Sequence, residues 1–329
     1  MDDSYFDGPG RHWLEVVPRR SDEPEISAPA FDYRPAYTQG LHPLSPHQLL
    51  TRKFEPPEHV LAPWLQTQGL AMIHAPRGIG KTHISIGAAC AVAAGTGFLK
   101  WSAPKPRRVL FIDGEMPGAM LQERFARTID ALKADVPPDG FKLVAADLEP
   151  DGLPDLASEE GQQFYAEVIA PADLVITDNL STICRTLREN EADSWGPVQS
   201  WALRLRREGK SVLFIHHAGK SGGQRGTSKK EDILNTVIAL RRPPDYEASQ
   251  GARFEVHYEK ARGFYGNEAE PFEAWLKDGQ WLTAEVTSAD DDASLLALKK
   301  QGLSDREIEK RTGVPKSTVN RKLREKALP

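Results

Sequence analysis

"MIHAPRGIGKTHISIG", residues 72–87, ends a short apolar run, turns on Gly78 and Gly80, presents Lys81 and Thr82, and continues in helix-compatible residues. A phosphate-binding loop has the pattern G-x-x-x-x-G-K-[ST] between a strand and a helix. Here the pattern reads A-P-R-G-I-G-K-T over 75–82, with Ala75 in place of the first glycine. A loop of Ala75, Pro76, Arg77, Gly78, Ile79 and Gly80 lets backbone wrap closely around phosphate oxygens. Lys81, Thr82 and His83 open a helix whose first N–H groups point at the same anion. Lys81 supplies a cation near the β- and γ-phosphates of ATP, and Thr82 a hydroxyl ligand for Mg²⁺. The competing reading is a glycine-rich turn with a surface lysine. It leaves the strand, the helix and the adjoining Gly-Lys-Thr as coincidences.

Outward from that loop the chain alternates between short apolar runs and helical segments. Strands are expected at 69–75, 107–114, 141–147, 173–179 and 211–217, each β-branched-rich and continuous enough to be buried on both faces. Helices are expected near 81–96, 117–133, 158–168 and 194–209. That order predicts an α/β fold with a mostly parallel sheet. Residues 45–67 also read as helical, broken at Pro56 and Pro57. Past residue 231, "ILNTVIALRRP", "ARFEVHYEKARG" and "FEAWLKDGQWLTAEV" read as further strands, antiparallel at the sheet edge.

The resulting organisation is a flexible arm over 1–42, a large α/β domain over 43–286, a polar linker over 287–294 and a small helical unit over 295–329. Apolar content of 40% and charge content of 27% belong to a globular chain, and a net charge of −5 excludes a protein that binds polyanions over its whole surface. The first residues lack the basic start and apolar core of a secretory signal, and "IGAACAVAAG" is too short to span a bilayer, so a cytoplasmic protein with no membrane partner is expected. Cys90 and Cys184 lack metal-ligand spacing and read as buried thiols.

A hydrolase of this kind needs a carboxylate for Mg²⁺ and a group to orient water. Two strand ends offer them: "VLFIDGEMP" with Asp113 and Glu115, and "DLVITDNLS" with Asp178. Ligands of open α/β sheets sit at the carboxyl ends of strands. With these motifs the chain resembles a RecA-like P-loop ATPase of the AAA_25 kind, in the hexameric replicative-helicase group that includes DnaB and the plasmid RepA helicases. The resemblance implies that Glu115 activates water and that Asp178 is the Walker B aspartate, helping to hold Mg²⁺. The alternative makes Asp113 and Glu115 the Walker B pair and leaves Asp178 structural. In "SVLFIHHAGK" the adjacent His216 and His217 point to opposite faces of a strand, which makes them a poor metal pair. The family resemblance suggests one of them, His217, as a γ-phosphate sensor, against a core or surface histidine.

"AGKSGGQRGTSKK", 218–230, has four glycines and the cations Lys220, Arg225, Lys229 and Lys230. Such a loop suits a phosphate chain, and in the resembled motors this region contacts single-stranded DNA; a solvated loop is the alternative. "HYEKARGFYG" carries Lys260 and Arg262, which match the K-x-R that reaches a neighbouring subunit's ATP in DnaB-type helicases. A strand-end ion pair is the bland reading, and Arg225 is the rival finger. A trans finger implies a homo-oligomer, expected as a hexameric ring.

"GLSDREIEKRTGVPKSTVNRKLREKAL" reads as a helix-turn-helix. Ser304 and Glu307 form a capping box, Ile308, Val314, Val319 and Leu323 face inward, and Lys316, Ser317, Thr318, Asn320 and Arg321 are exposed. From Leu296 onward, ten Lys/Arg against four acids give +6, a reversal that suits duplex DNA. A helical tail for protein contacts is the alternative. The expected activity is ATP hydrolysis driving a DNA-acting motor, a RepA-like replicative helicase of a plasmid, phage or other mobile element. The competing expectations are an ATP-dependent switch or DNA-binding replication-initiation factor without unwinding, and a recombination mediator.

Overall fold

Nine strands pair into one sheet in the computed structural model, which describes residues 41–186, 195–218, 231–286, 292–312 and 314–327. The chain divides into two units, residues 1–54 and 55–329. In the first, helix α1 (Pro46–Thr51) is closed by a capping box between Ser45 and Gln48 and buries no residue.

In the second unit the strands are β1 (His59–Leu61), β2 (Leu65–Gln66), β3 (Leu70–Ala75), β4 (Gly97–Phe98), β5 (Trp101–Ser102), β6 (Val109–Asp113), β7 (Phe141–Ala145), β8 (Leu174–Asp178), β9 (Ser211–His217), β10 (Thr236–Arg241), β11 (Arg253–Ala261), β12 (Phe272–Lys277) and β13 (Gln280–Glu285). The large sheet runs β13-β12-β11-β10-β3-β9-β8-β6-β7. From β10 to β7 every pair is parallel, and from β10 outward to β13 every pair is antiparallel. All five strands expected before residue 218 are present. The expected antiparallel extension is corrected at one strand, since β10 lies parallel to β3.

Alternation along each strand divides the core. Ala71, Ile73 and Ala75 face helices α2 (Lys81–Ala94) and α3 (Gly118–Leu132), while Leu70 and Met72 face α4 (Glu159–Ile169), α5 (Leu180–Ile183) and α6 (Gly196–Arg207). Trp195, Trp201 and Phe214 fill the second face in edge-on and tilted contacts. Helix α2 is apolar and small on nearly every side, "ISIGAACAVAA", and is buried accordingly.

The helix expected over 59–67 is instead the β1–β2 hairpin. Pro63 removes an amide donor and disfavours the helical region for Ala62 before it, so the apolar residues Val60, Leu61, Trp64 and Leu65 are buried from extended chain. The β4–β5 hairpin and α5 have no counterpart among the sequence expectations.

Three helices close the chain: α7 (Asp292–Lys300), α8 (Asp305–Thr312) and α9 (Lys316–Ala327). Leu295, Leu298, Ile308, Val314 and Val319 form their own small core, with Leu323 packed against it. The Ser304–Glu307 capping box is formed. Thr318 and Asn320 depart from the expected exposure, since both are half-buried, and Asn320 Nδ2 donates to Asp305 Oδ2 at 3.0 Å. Among the described residues no helix is long and apolar enough to cross a membrane.

Candidate active site at the carboxyl end of the sheet

Strand register gathers the site. Ala75 pairs with His217, Asp178 with Ile215, and Asp113 with Asp178, so four strand ends meet along one edge. A cavity of about 520 Å³ opens there, lined by the loop after β3, the start of α2, Glu115, Asp178 and His217.

The loop is held from several sides. Gly80 has φ +120°, a backbone angle that favours glycine, and a Cβ on it would be tight against the Phe254 ring at 3.1 Å and the Ala252 side chain at 3.2 Å. Ile79 and Ala75 are fully buried, so their side chains anchor the loop in the core. Arg242 stacks on Tyr246 with 3.6 Å to the ring centroid and donates from Nη2 to the Gly78 carbonyl at 2.7 Å. Ala75, the departure from the strict motif, is the last residue of β3, and its carbonyl accepts from Lys81 Nζ at 3.0 Å, as does that of Pro76. The position thus works through its carbonyl, which alanine supplies as well as glycine.

Burial pulls the Lys81 ammonium below its ordinary value, with Asp178 and Glu115 opposing. Burial likewise pushes the Asp178 carboxyl up to about 6; Ser85 and Lys81 oppose that rise and Asp113 adds to it. Ser85 Oγ donates to Asp178 Oδ2 at 2.8 Å, and the Thr82 hydroxyl is near enough to oppose the rise in the same carboxyl. A hydroxyl and a carboxylate oxygen side by side at the cavity floor are hard donors that fit Mg²⁺. Thr82 and Asp178 are therefore the residues that would hold it, and Mg²⁺ there would neutralise charge on the β- and γ-phosphates of a bound nucleotide. Burial first, then Arg124 and Arg127, hold the His83 imidazole down at about 4, so it lines the cavity as a neutral ring.

Asp113 turns the chain and is not among the residues that line the cavity. Its Oδ1 accepts from the N–H of Glu115 at 3.0 Å and of Met116 at 2.7 Å, closing the turn that presents Glu115. His217 Nε2 lies 3.9 Å from Glu115 Oε2, whereas His216 falls on the opposite face of β9 beside His74. Glu115, Asp178, His217 and residues 75–83 are thus brought together.

Lys260 and Arg262 are not. Thr236 pairs with both Ala71 and Ala261, so β11 ends near the start of β3, about 15–20 Å of strand away from the loop that follows Ala75. Lys260 Nζ donates to the carbonyls of Glu231 and Asp232. Arg262 is exposed, and its charge, after burial, pulls Arg206 down. Lys220, Arg225, Lys229 and Lys230 lie outside the described residues. In the tail, Lys316, Ser317 and Arg321 are exposed. Sequence reasoning missed two functional contacts, Arg242 on Gly78 and Asn179 on Glu115.

A phosphate loop after β3, a buried aspartate on β8, one strand between them and a glutamate closing β6 define a RecA-like P-loop ATPase. The chain belongs to the AAA domain family (AAA_25), whose match covers residues 35–223, more than half its length. No curated protein matches. Among solved structures it is similar to a KaiC-like protein from the hyperthermophilic archaeon Pyrococcus horikoshii OT3, with 14% identity, a TM-score of 0.46, and coverage of 67% of this chain and 90% of that one.

Proposed function

We propose that this ATPase is a DNA-acting motor of the DnaB and RepA helicase kind, a hexameric ring whose ATP sites lie between subunits. The observation that carries the reading is Arg262: it stands exposed at the end of the sheet remote from its own phosphate loop, which favours a role at a neighbour's nucleotide over one at its own. Lys260 supports the same element by tying down residues 231 and 232. In the reaction, Glu115 takes a proton from water as the water oxygen bonds to the γ-phosphorus. The bond from phosphorus to the β,γ-bridging oxygen breaks, and ADP leaves with its electron pair. Lys81 and the neighbour's Arg262 stabilise the charge on the transferring group, and His217 sits where it can contact the γ-phosphate. Residue 218, whose N–H donates to the Ala75 carbonyl at 2.9 Å, starts the basic loop 218–230, so movement at the phosphate end reaches DNA through Lys220, Arg225, Lys229 and Lys230. Lys316, Ser317 and Arg321 offer duplex contacts.

The test is steady-state ATP hydrolysis with and without single-stranded DNA, on wild type and Arg262→Ala. Stimulation by DNA that disappears in Arg262→Ala, with ATP binding kept, is expected. Hydrolysis indifferent to both removes the motor. A second reading, an ATP-dependent switch with a DNA-binding tail, is favoured by one contact. Arg311 Nη2 donates to the Tyr246 carbonyl at 3.0 Å, on the segment that braces Gly78 through Arg242. Nucleotide-dependent binding of duplex DNA without strand separation would select it.

A further inference from the structure

Glu115 has a partner that the motifs do not announce. Asn179 follows Asp178 at the end of β8 and is buried to 1% exposure. Its Oδ1 accepts from the backbone N–H of Ser181 at 3.1 Å and of Thr182 at 3.3 Å, capping α5. Those two donors fix which end of the amide is oxygen, so Nδ2 is the end that faces Glu115, and it donates to Glu115 Oε2. The two segments are interlocked beyond this bond. Gly114 N donates to the Asp178 carbonyl at 2.8 Å, and a Cβ on Gly114 would lie 2.4 Å from Thr182 Oγ1. The turn carrying Glu115 therefore rests directly on the first turn of α5, and Asn179 is the side chain that joins them.

We propose that Asn179 is the positioning residue of the hydrolytic step, fixing one carboxylate oxygen of Glu115 so that the other is aimed at the attacking water. A carboxylate on a flexible stem has many rotamers, and only a few put an oxygen within hydrogen-bond reach of an in-line water. The bond from Asn179 selects among them before ATP arrives. The amide neither gains nor loses a proton; it holds the base that does. This inference rests on the reading of Glu115 as the group that accepts the water's proton.

Substitution at residue 179 separates positioning from capping. Aspartate caps helices as well as asparagine does, so a residue that only caps α5 tolerates Asn179→Asp. A positioning residue does not, because the donor becomes an acceptor of like charge beside Glu115. Serine keeps a cap oxygen but ends one heavy atom sooner. With the full chain and Mg–ATP, Asn179→Ser is expected to lower kcat about 10- to 100-fold, the loss of one hydrogen bond to a charged group. KM for ATP and the thermal melt are expected to be unchanged in Asn179→Ser, whereas Asn179→Asp is expected to lower kcat further and to lower the melt as well, because it buries a like charge beside Glu115. In a Glu115→Gln background, Asn179→Ser is expected to cost less than about 2-fold more, because the group it positions is gone.

Wild-type kcat in Asn179→Asp overturns the inference, and so does a rise in basal hydrolysis in Asn179→Ser, which would make Asn179 a latch. An active Glu115→Gln protein overturns the reading of Glu115 itself, and the inference with it. An inactive Glu115→Gln protein beside a fully active Asn179→Asp protein overturns the inference alone.

Discussion

At the carboxyl end of β3, Lys81 is buried and bonded to the carbonyls of Ala75 and Pro76, with Asp178 and Glu115 near enough to raise its proton affinity. At the other end of the same strand, Arg262 stands in solvent beside Arg206, two like charges together. The first end is a site whose charges answer one another within the chain. The second is an end where cations gather at the surface, Arg262, after burial, lowering the proton affinity of both Arg206 and Lys260. That difference is what the proposed function builds on. A phosphoryl-transfer site gains rate from cations on both sides of the γ-phosphate, and under the proposed function this chain would supply the two sides from opposite ends of one sheet.

The strongest way to break the comparison is to disable the ends in separate chains and mix them. Lys81→Ala and Arg262→Ala are each expected to lose about 10³-fold or more in phosphate release. Mixed in equal amounts they are expected to recover part of the wild-type rate, because an intact Lys81 of one chain then meets an intact Arg262 of the other. A mixture no more active than its parts shows that the two ends never share a site.

A smaller effect is expected at Gly114, inside the catalytic end. A methyl group there meets Thr182 Oγ1 at 2.4 Å and Ile183 Cγ1 at 2.9 Å. Gly114→Ala is expected to cost about 1–3 kcal/mol by urea denaturation, the range for overpacking. It is also expected to lower kcat at least about 10-fold, because the turn moves Glu115 away from Asn179. Smaller still is Arg242→Ala, which removes one brace from the loop. KM for ATP is expected to rise about 5- to 20-fold with kcat nearly unchanged, as when one hydrogen bond that supports uniform binding is lost.

These residues also divide what a sequence discloses from what it hides. Ala75 to His83, Glu115 and Asp178 are legible because a phosphate loop and a strand-terminal carboxylate are local patterns, fixed by neighbours a few residues away. The parallel strands are legible for the same reason, as continuous apolar runs. Arg242, Asn179 and the direction of β10 depend on register between segments far apart in the chain, such as Arg242 with Gly78. Nothing local in "LRRPPD" distinguishes Arg242 from Arg241, which pairs with Glu259 instead. The β1–β2 hairpin was hidden differently: a short apolar run fits a helix as well as a strand, and only Pro63 spoke against the helix.

The smallest expected effect lies in the tail, where the contrast with the sheet is one of core size. Five buried apolar residues hold three helices, so a single polar contact carries weight there that it lacks in the sheet. Asp305 is that contact: Oδ1 pairs with Lys299 of α7 at 2.6 Å, and Oδ2 accepts from Asn320 of α9. Lys299 first and then Asn320 hold its carboxyl below the ordinary range. A depressed carboxyl contributes stability that is present above the unfolded value and is lost as pH falls through the folded one. Tail order, followed by amide exchange within 295–323, is therefore expected to weaken below about pH 4 while the sheet stays protected. Asp305→Ala is expected to reproduce that weakening at neutral pH, by less than about 1 kcal/mol because the pair is solvent-screened. ATP hydrolysis without DNA is expected to be unchanged, since Asp305 touches only the tail. Equal loss of protection in sheet and tail on acidification would mean that the three helices unfold with the sheet and not before it.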